Sequence, residues 1–129
     1  MIRISVPVAY KSHKVSISWA NGGMAKGANR QWLGALQAAV LPKAPQLRPL
    51  FDGTKRLRLR VSIRGQASST KLLDVHDATA KIADQLTDVL FPRKPGSPTP
   101  QTKDRHFWAT YGTKAVAPRG RVDIWISEM

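Results

Sequence analysis

The sequence has no cysteine, no long apolar run and few acidic residues. The absence of cysteine excludes disulfide bonds, cysteine-ligated zinc and thiol catalysis. No apolar run approaches the ~20 residues that a helix needs to cross a bilayer. Residues 1–6 alternate like a strand and lack the apolar stretch of a signal peptide. We therefore expect a cytoplasmic protein with no membrane segment.

The shortage of acids is as informative as the absence of cysteine. Lysine and arginine number 21 against 8 aspartates and glutamates, which gives a net charge of +13. Such an excess indicates a polyanionic partner, and nucleic acid is the first candidate. Residues 1–70 hold 12 basic residues and one acid, Asp52, whereas residues 71–129 hold 9 basic residues and 7 acids. Carboxylates repel phosphate unless they hold a catalytic metal, so the acids of the second half raise the possibility of a nuclease.

Length and periodicity predict the fold. A chain of 129 residues that is 42% hydrophobic predicts one domain, 1–129, with one core. Alternating apolar residues predict strands over residues 3–8, 15–19, 55–65, 107–114 and 121–127. Helical spacing predicts helices over residues 26–41 and from Asp74 or Asp77 to Leu90. Prolines predict an irregular connector at Pro42, Pro45 and Pro49 and a proline-rich loop over 92–102, and residues 65–70 are predicted to form another loop. This order predicts an α+β fold in which two main helices flank a mixed β-sheet.

The predicted strand 55–65 has two unlike faces. Its apolar face carries Leu57, Leu59, Val61 and Ile63. Its other face carries Arg56, Arg58, Arg60 and Arg64. This arginine face could lie along a phosphate backbone, or it could be the solvated outer face of a half-buried sheet.

Four residues of the second half could form a catalytic site. Asp74 and Asp77 lie three residues apart at the predicted start of a helix, Lys81 follows one turn later, and Asp104 follows the proline-rich loop. Three carboxylates with a lysine are typical of a Mg²⁺ site that faces phosphate. In the alternative interpretation, Asp77 caps a helix that begins at Ala78 and forms a surface pair with Lys81.

The sequence around these residues also resembles the motifs of a known enzyme family. Residues 74–81 are Asp-Val-His-Asp-Ala-Thr-Ala-Lys, and residues 120–129 are Gly-Arg-Val-Asp-Ile-Trp-Ile-Ser-Glu-Met. Together with the strand at 57–64, with Asp104 and with Lys114 ten residues later, they resemble the RusA-type Holliday junction resolvases, which are small basic endonucleases, often encoded by phages. The resemblance covers roughly residues 55–129. The family spaces its two aspartates two apart, so a one-residue insertion or bulge would make Asp74 and Asp77 the equivalent pair; otherwise His76 could replace one ligand.

The resemblance implies a function and a set of site residues. Asp74, Asp77 and Asp104 would hold Mg²⁺ or Mn²⁺, and Lys81 would offset charge on the phosphate. The substrate would be branched DNA, cut by paired nicks from a homodimer in the cytoplasm of a bacterial or phage-infected cell. The residues expected to contact DNA are Arg56, Arg58, Arg60, Arg64, Lys71, Lys103 and Lys114.

Two other functions fit the sequence. One is a non-catalytic nucleic-acid-binding protein that keeps the basic surface but has lost part of the metal site. The other is a small basic ribonuclease or toxin that uses His13, His76 or His106 as acid and base, and this would cleave RNA without a metal.

Overall fold

A computed structural model describes residues 1–10, 28–92 and 107–129 of the chain. Within these ranges the elements are β1 (Ile2–Val6), α1 (Ala28–Val40), α2 (Ala44–Leu47), β2 (Leu57–Gly65), α3 (Ala67–Thr70), α4 (Val75–Leu90), β3 (Phe107–Val116) and β4 (Arg121–Glu128). The strands form one sheet in the order β1-β4-β2-β3. Strand β4 runs antiparallel to both β1 and β2, whereas β3 runs parallel to β2. The predicted α+β class, with a mixed sheet and two main helices, is confirmed.

One face of this sheet forms the hydrophobic core. The alternation in β2 directs Leu57, Leu59, Val61 and Ile63 to the same side, where each is almost completely buried. The neighbouring strands add Ile4, Val6, Val122, Ile124 and Ile126 to this inner face. Burying a side chain of this size stabilises the fold by about 1.5–3 kcal/mol. The described helices supply the apolar residues that cover this face.

Helix α4 is the main cover of the inner face. Its buried stripe contains the predicted residues Ala78, Ile82, Leu86 and Leu90. Helix α1 packs beside it, and Trp32 Nε1 donates a 2.9 Å hydrogen bond to Gln85 Oε1. At the other end of α4, Arg48 Nε donates to the carbonyl oxygen of Leu90 at 3.0 Å. That bond satisfies one of the carbonyls that a helix leaves without an internal partner.

Two predictions about connecting segments are wrong. Residues 41–51 are helical, because short 3₁₀ segments at Leu41–Lys43 and Arg48–Phe51 flank α2. The three prolines occupy the first or second position of these segments, where the missing N–H has no intrahelical partner to lose. Residues 67–70, predicted as loop, form the single turn α3. The predicted strand 15–19 and residues 93–102 of the predicted loop lie outside the described ranges.

No helix in the described ranges combines the length and the apolar character of a membrane span.

Gly112 on β3 marks the closest approach of the sheet to α4. A Cβ at this position would overlap Thr79 Oγ1 and would lie 3.2 Å from Val75 Cγ2. A Cβ added at Gly34 of α1 would instead have open space around it. The first glycine therefore permits packing between β3 and α4, whereas the second lowers the stability of its helix without such a role.

We expect opposite effects from adding a methyl group at these two glycines. Gly112→Ala should lower the free energy of unfolding by about 1–3 kcal/mol, because α4 must shift to admit the methyl group. Gly34→Ala should raise it by up to about 1 kcal/mol, because alanine favours the helix. Urea unfolding followed by circular dichroism measures both values. An unchanged midpoint for Gly112→Ala would mean that α4 does not rest on β3 as described.

Candidate nucleic-acid interface

The second face of the sheet is polar and exposed. Side chains that alternate with the core residues of β2 point to this side, and among them Arg58, Arg60 and Arg64 are exposed. No helix of the described ranges covers this side. We call it the open face, formed by Arg3, Ser5, Arg56, Arg58, Arg60, Ser62, Arg64, Trp108, Tyr111, Thr113, Arg121, Asp123 and Trp125. Four of the predicted DNA contacts therefore lie together on it.

The strand register places aromatic rings between the arginines. Trp125 is opposite Arg3 on β1 and opposite Arg60 on β2, and Arg60 is in turn opposite Tyr111 on β3. This row crosses all four strands. The Cζ atoms of Arg3 and Arg60 lie 5.6 and 5.1 Å from the Trp125 ring centroid, within cation–π range. Positive charge thus lies on both sides of one indole ring.

Two further rings extend the open face toward the β3 edge. Arg56 Cζ lies 4.5 Å from the ring centroid of Trp108, which is 64% exposed. Tyr111 is 59% exposed. Large aromatic side chains that stay in water beside guanidinium groups provide surfaces on which a flat ligand such as a nucleic-acid base can stack.

One carboxylate organises the open face. Asp123 is only 2% exposed and lies between the arginines of β1 and β4. It accepts hydrogen bonds from Ser5 Oγ at 2.7 Å, Arg121 Nε at 3.1 Å and Arg3 Nη2 at 3.3 Å. Burial acts to raise the pKa of Asp123, but these hydrogen bonds outweigh it and hold that pKa below its usual value. Asp123 is therefore an ionised anchor for two guanidinium groups.

The predicted catalytic residues lie elsewhere, at the start of α4. Asp74 is the N-cap, and its Oδ1 accepts from the backbone N–H groups of His76 at 3.1 Å and Asp77 at 3.2 Å. The interpretation of Asp77 as the cap is therefore wrong. The first turn is regular, with Ala78 N donating to Asp74 O at 3.0 Å. Two residues separate Asp74 from Asp77, one more than in the family's spacing, and both fit into this turn without a bulge.

Lysines accompany the two aspartates. Lys81 Nζ lies 3.0 Å from Asp77 Oδ2, and this ion pair joins two residues that are one helical turn apart. Lys114 Nζ of β3 donates to the carbonyl oxygens of Lys71 at 3.0 Å and Leu73 at 2.8 Å, just before the cap. Lys71 and Lys114, both predicted as DNA contacts, thus lie beside the start of α4 and not with the arginines of the open face.

Part of the predicted metal site cannot be placed. Asp104 and Lys103 lie outside the described ranges, as do His13 and His106. In the parts of the chain that are described, no three histidines, aspartates or glutamates come together as a metal-holding group. His76 is exposed in the first turn of α4. The described structure therefore brings together two of the three predicted carboxylates, with Lys81 beside them.

Several residues of the open face were not predicted as site residues. Arg3, Arg121, Trp108, Tyr111, Trp125 and Asp123 all belong to it. The alternation over 121–127 placed Asp123 and Trp125 on one side of a strand, and an acid inside an apolar strand is a signal for a buried, paired carboxylate. The partners of Asp123 on β1 lie about 120 residues away in sequence, and only the strand register identifies them.

No protein-family model, no curated protein and no solved structure matches this chain. Its function is accordingly inferred from the two surfaces described above and from the sequence motifs.

Asp123 provides a test of the open face through stability. Asp123→Asn should lower the free energy of unfolding at pH 7 by about 1–3 kcal/mol, because charge-assisted hydrogen bonds are lost. The folded-state pKa lies below the unfolded value, so the ionised carboxylate stabilises the fold above pH 4, roughly, and the contribution is lost as the pH falls through the folded-state pKa. The difference between wild type and variant should therefore shrink as the pH falls below about 4 in urea unfolding.

Asp77→Asn is the matched control for this measurement. Asp77 is half-exposed in its surface ion pair, so the same substitution there should cost no more than about 0.5 kcal/mol. Equal losses for the two variants would show that Asp123 does not anchor the face.

Proposed function

We propose that this protein binds nucleic acid on the open face of its sheet, and that branched DNA, which the resemblance implies, is its ligand. The observation that carries the proposal is the composition of this face. Six arginines and three aromatic rings share it, and the one carboxylate among its described residues is buried and hydrogen-bonded. A face that served only to keep the protein soluble would need neither the rings nor the exclusion of acids.

The arginines supply the contact with phosphate. No carboxylate of the described residues pairs with Arg58, Arg60 or Arg64, so their guanidinium groups are available to an external anion. A guanidinium group presents two parallel N–H donors that match two phosphate oxygens. Each phosphate neutralised on duplex DNA releases counterions, and binding consequently weakens as salt increases.

The aromatic rings favour unpaired bases. Stacking of a base on an exposed ring contributes about 1–3 kcal/mol and does not depend on base identity. Trp108 and Tyr111 offer such rings at the β3 edge of the open face. A ligand that combines duplex arms with a few unpaired nucleotides, as at a branch point, would use both the arginines and the rings.

Replacing one arginine of the open face should change the salt dependence of binding. For Arg58→Gln we expect the slope of log affinity against log salt concentration to fall by about 1, because one phosphate contact is lost. Fluorescence anisotropy with a labelled four-way junction at several salt concentrations measures the slope. Lys43→Gln removes the same charge from the helical side of the molecule and should leave the slope unchanged. Equal slopes for wild type and Arg58→Gln would contradict binding on this face.

A second candidate function is metal-dependent DNA cleavage of the RusA type, at a site on the helical side of the sheet and not on the open face. The observation that favours it is the placement of Asp74, Asp77 and Lys81 together on the first turns of α4. The donor set suits Mg²⁺, which prefers carboxylate oxygen. Asp74 uses only Oδ1 for its two capping bonds, so Oδ2 remains for a metal.

In this candidate function, Asp74 and Asp77 would hold Mg²⁺ or Mn²⁺ together with Asp104. When bound, the ion supplies an activated water and neutralises charge on the scissile phosphate. Lys81 would leave its pair with Asp77 and offset negative charge on the reacting phosphate. A four-way junction is close to two-fold symmetric, so paired nicks would call for a homodimer with two such sites.

Removing the charge of either aspartate should abolish cutting and preserve binding. Asparagine caps a helix as well as aspartate does, so Asp74→Asn removes the charge and keeps α4 intact. Asp77→Asn loses only a surface ion pair worth about 0.3–0.5 kcal/mol. Both variants should bind a labelled junction at least as tightly as the wild type, because neither aspartate belongs to the open face and each would repel phosphate.

The cleavage assay compares Mg²⁺, Mn²⁺ and EDTA on a four-way junction and on a linear duplex of matched sequence. Paired nicks that require metal and are confined to the junction are expected for the wild type and for the control Asp84→Asn, which lies further along α4. Normal cutting by Asp77→Asn would refute this site. Binding without cutting under any metal would refute the nuclease and leave the binding function.

A further inference from the structure

A cavity of about 470 Å³ lies at the turn between β3 and β4. Its lining combines three arginines, Arg64, Arg119 and Arg121, with the apolar residues Pro7, Ala117 and Pro118. Arg64 and Arg121 also belong to the open face, so the cavity continues that surface at the end where β2 finishes and β4 begins.

Two of the three arginines of the cavity, Arg64 and Arg119, have no acidic partner among the described residues, whereas Arg121 is paired with Asp123. Arg64 and Arg121 are directly opposite each other on β2 and β4, and like charges in that arrangement destabilise a sheet. Arg121 is held by Asp123 through Nε, and its Nη2 donates to Ser5 Oγ at 3.3 Å. Among the described residues, no acid lines the cavity beside Arg64 or Arg119. An anion between the guanidinium groups would relieve their repulsion.

The walls of the cavity are held in place by backbone contacts. Ala117 N donates to Gly65 O at 2.8 Å, which fastens the start of the turn to the end of β2. Gly120 lies against Ala9, and a Cβ at position 120 would overlap the backbone of Ala9. Glycine at position 120 therefore allows the turn to approach the segment after β1, which supplies Pro7 to the cavity. These contacts hold the backbone of the turn against β2 and against the segment after β1.

We propose that this cavity binds the terminal phosphate monoester of a nucleic-acid strand together with its last nucleotide. A monoester carries about −1.5 to −2 charges at pH 7, more than an internal phosphodiester, and so suits a cavity lined by three arginines better. A volume of about 470 Å³ falls within the range of small-ligand sites and exceeds what phosphate alone would fill. The apolar wall of Pro7, Ala117 and Pro118 faces the sugar and base. The assignment of this ligand rests on the proposed binding function, since a strand lying on the open face would end here.

The first experiment compares three forms of one single-stranded oligonucleotide: with a 5′-phosphate, with a 3′-phosphate and with hydroxyl groups at both ends. At least one phosphorylated form should bind about tenfold more tightly or better, the effect expected of charge-assisted hydrogen bonds. The preference should be lost in Arg119→Gln, whose affinity for the hydroxyl form should stay unchanged, because Arg119 is not part of the open face. Lys43→Gln should retain the preference. Equal binding of all three forms to the wild type would overturn the proposal.

A second experiment tests the cavity independently of strand binding. Deoxyadenosine monophosphate should shift the backbone amide signals of residues 64, 117 and 119–121 in two-dimensional NMR, and deoxyadenosine without phosphate should not. The monoester has a second pKa of about 6, so affinity should decrease between pH 7.5 and pH 5. If no oligonucleotide binds but the nucleotide shifts these signals, the proposed function fails and the cavity site stands. If the nucleotide shifts none of them, the cavity proposal is wrong whatever the oligonucleotides do.

Discussion

Six guanidinium groups on one face of a small sheet repel one another, and the buried carboxylate of Asp123 limits that repulsion. Asp123 accepts hydrogen bonds from Arg3 on β1 and from Arg121 on β4. One negative charge therefore binds two guanidinium groups that belong to neighbouring strands. The indole ring of Trp125 separates Arg3 from Arg60 and offers its negative π face to both. A basic face can be built in this way without a matching set of surface acids, and most of its charge stays available to a ligand.

Strand β2 connects this charged face to the stability of the fold. Successive side chains of β2 point to opposite faces, so Leu59 and Val61 lie in the core, whereas Arg58 and Arg60 are exposed to solvent. Because α1 and α4 bury the apolar side, their packing fixes the geometry of the arginine side. The start of α4 contributes a second surface with different chemistry, where Asp74 and Asp77 are exposed beside Lys81 and Lys114. Binding and cleavage, if both occur, would therefore depend on opposite sides of the same sheet.

The sequence predicted what local pattern determines. Alternation identified β2 and its arginine face, and helical spacing identified the buried stripe of α4. Prediction failed where position within an element mattered: Pro42, Pro45 and Pro49 were taken as breakers, although the first turn of a short helix accepts proline. The partners of Asp123 and the placement of Trp125 could not be predicted, because both depend on the pairing of β1 with β4 at the two ends of the chain. The third predicted carboxylate, Asp104, lies outside the described residues, so the metal site remains a prediction.

If nucleic acid lies on the open face, as we propose, the tryptophan side chains report on it directly. Trp108 and Trp125 belong to that face, whereas Trp32 is buried in the helical layer with its Nε1–H bonded to Gln85. In an NMR titration with a four-way junction, the indole N–H signals of Trp108 and Trp125 should shift or broaden first, and that of Trp32 should stay in place. If the Trp108 and Trp125 signals do not move while the junction binds, the ligand lies elsewhere and the account is wrong.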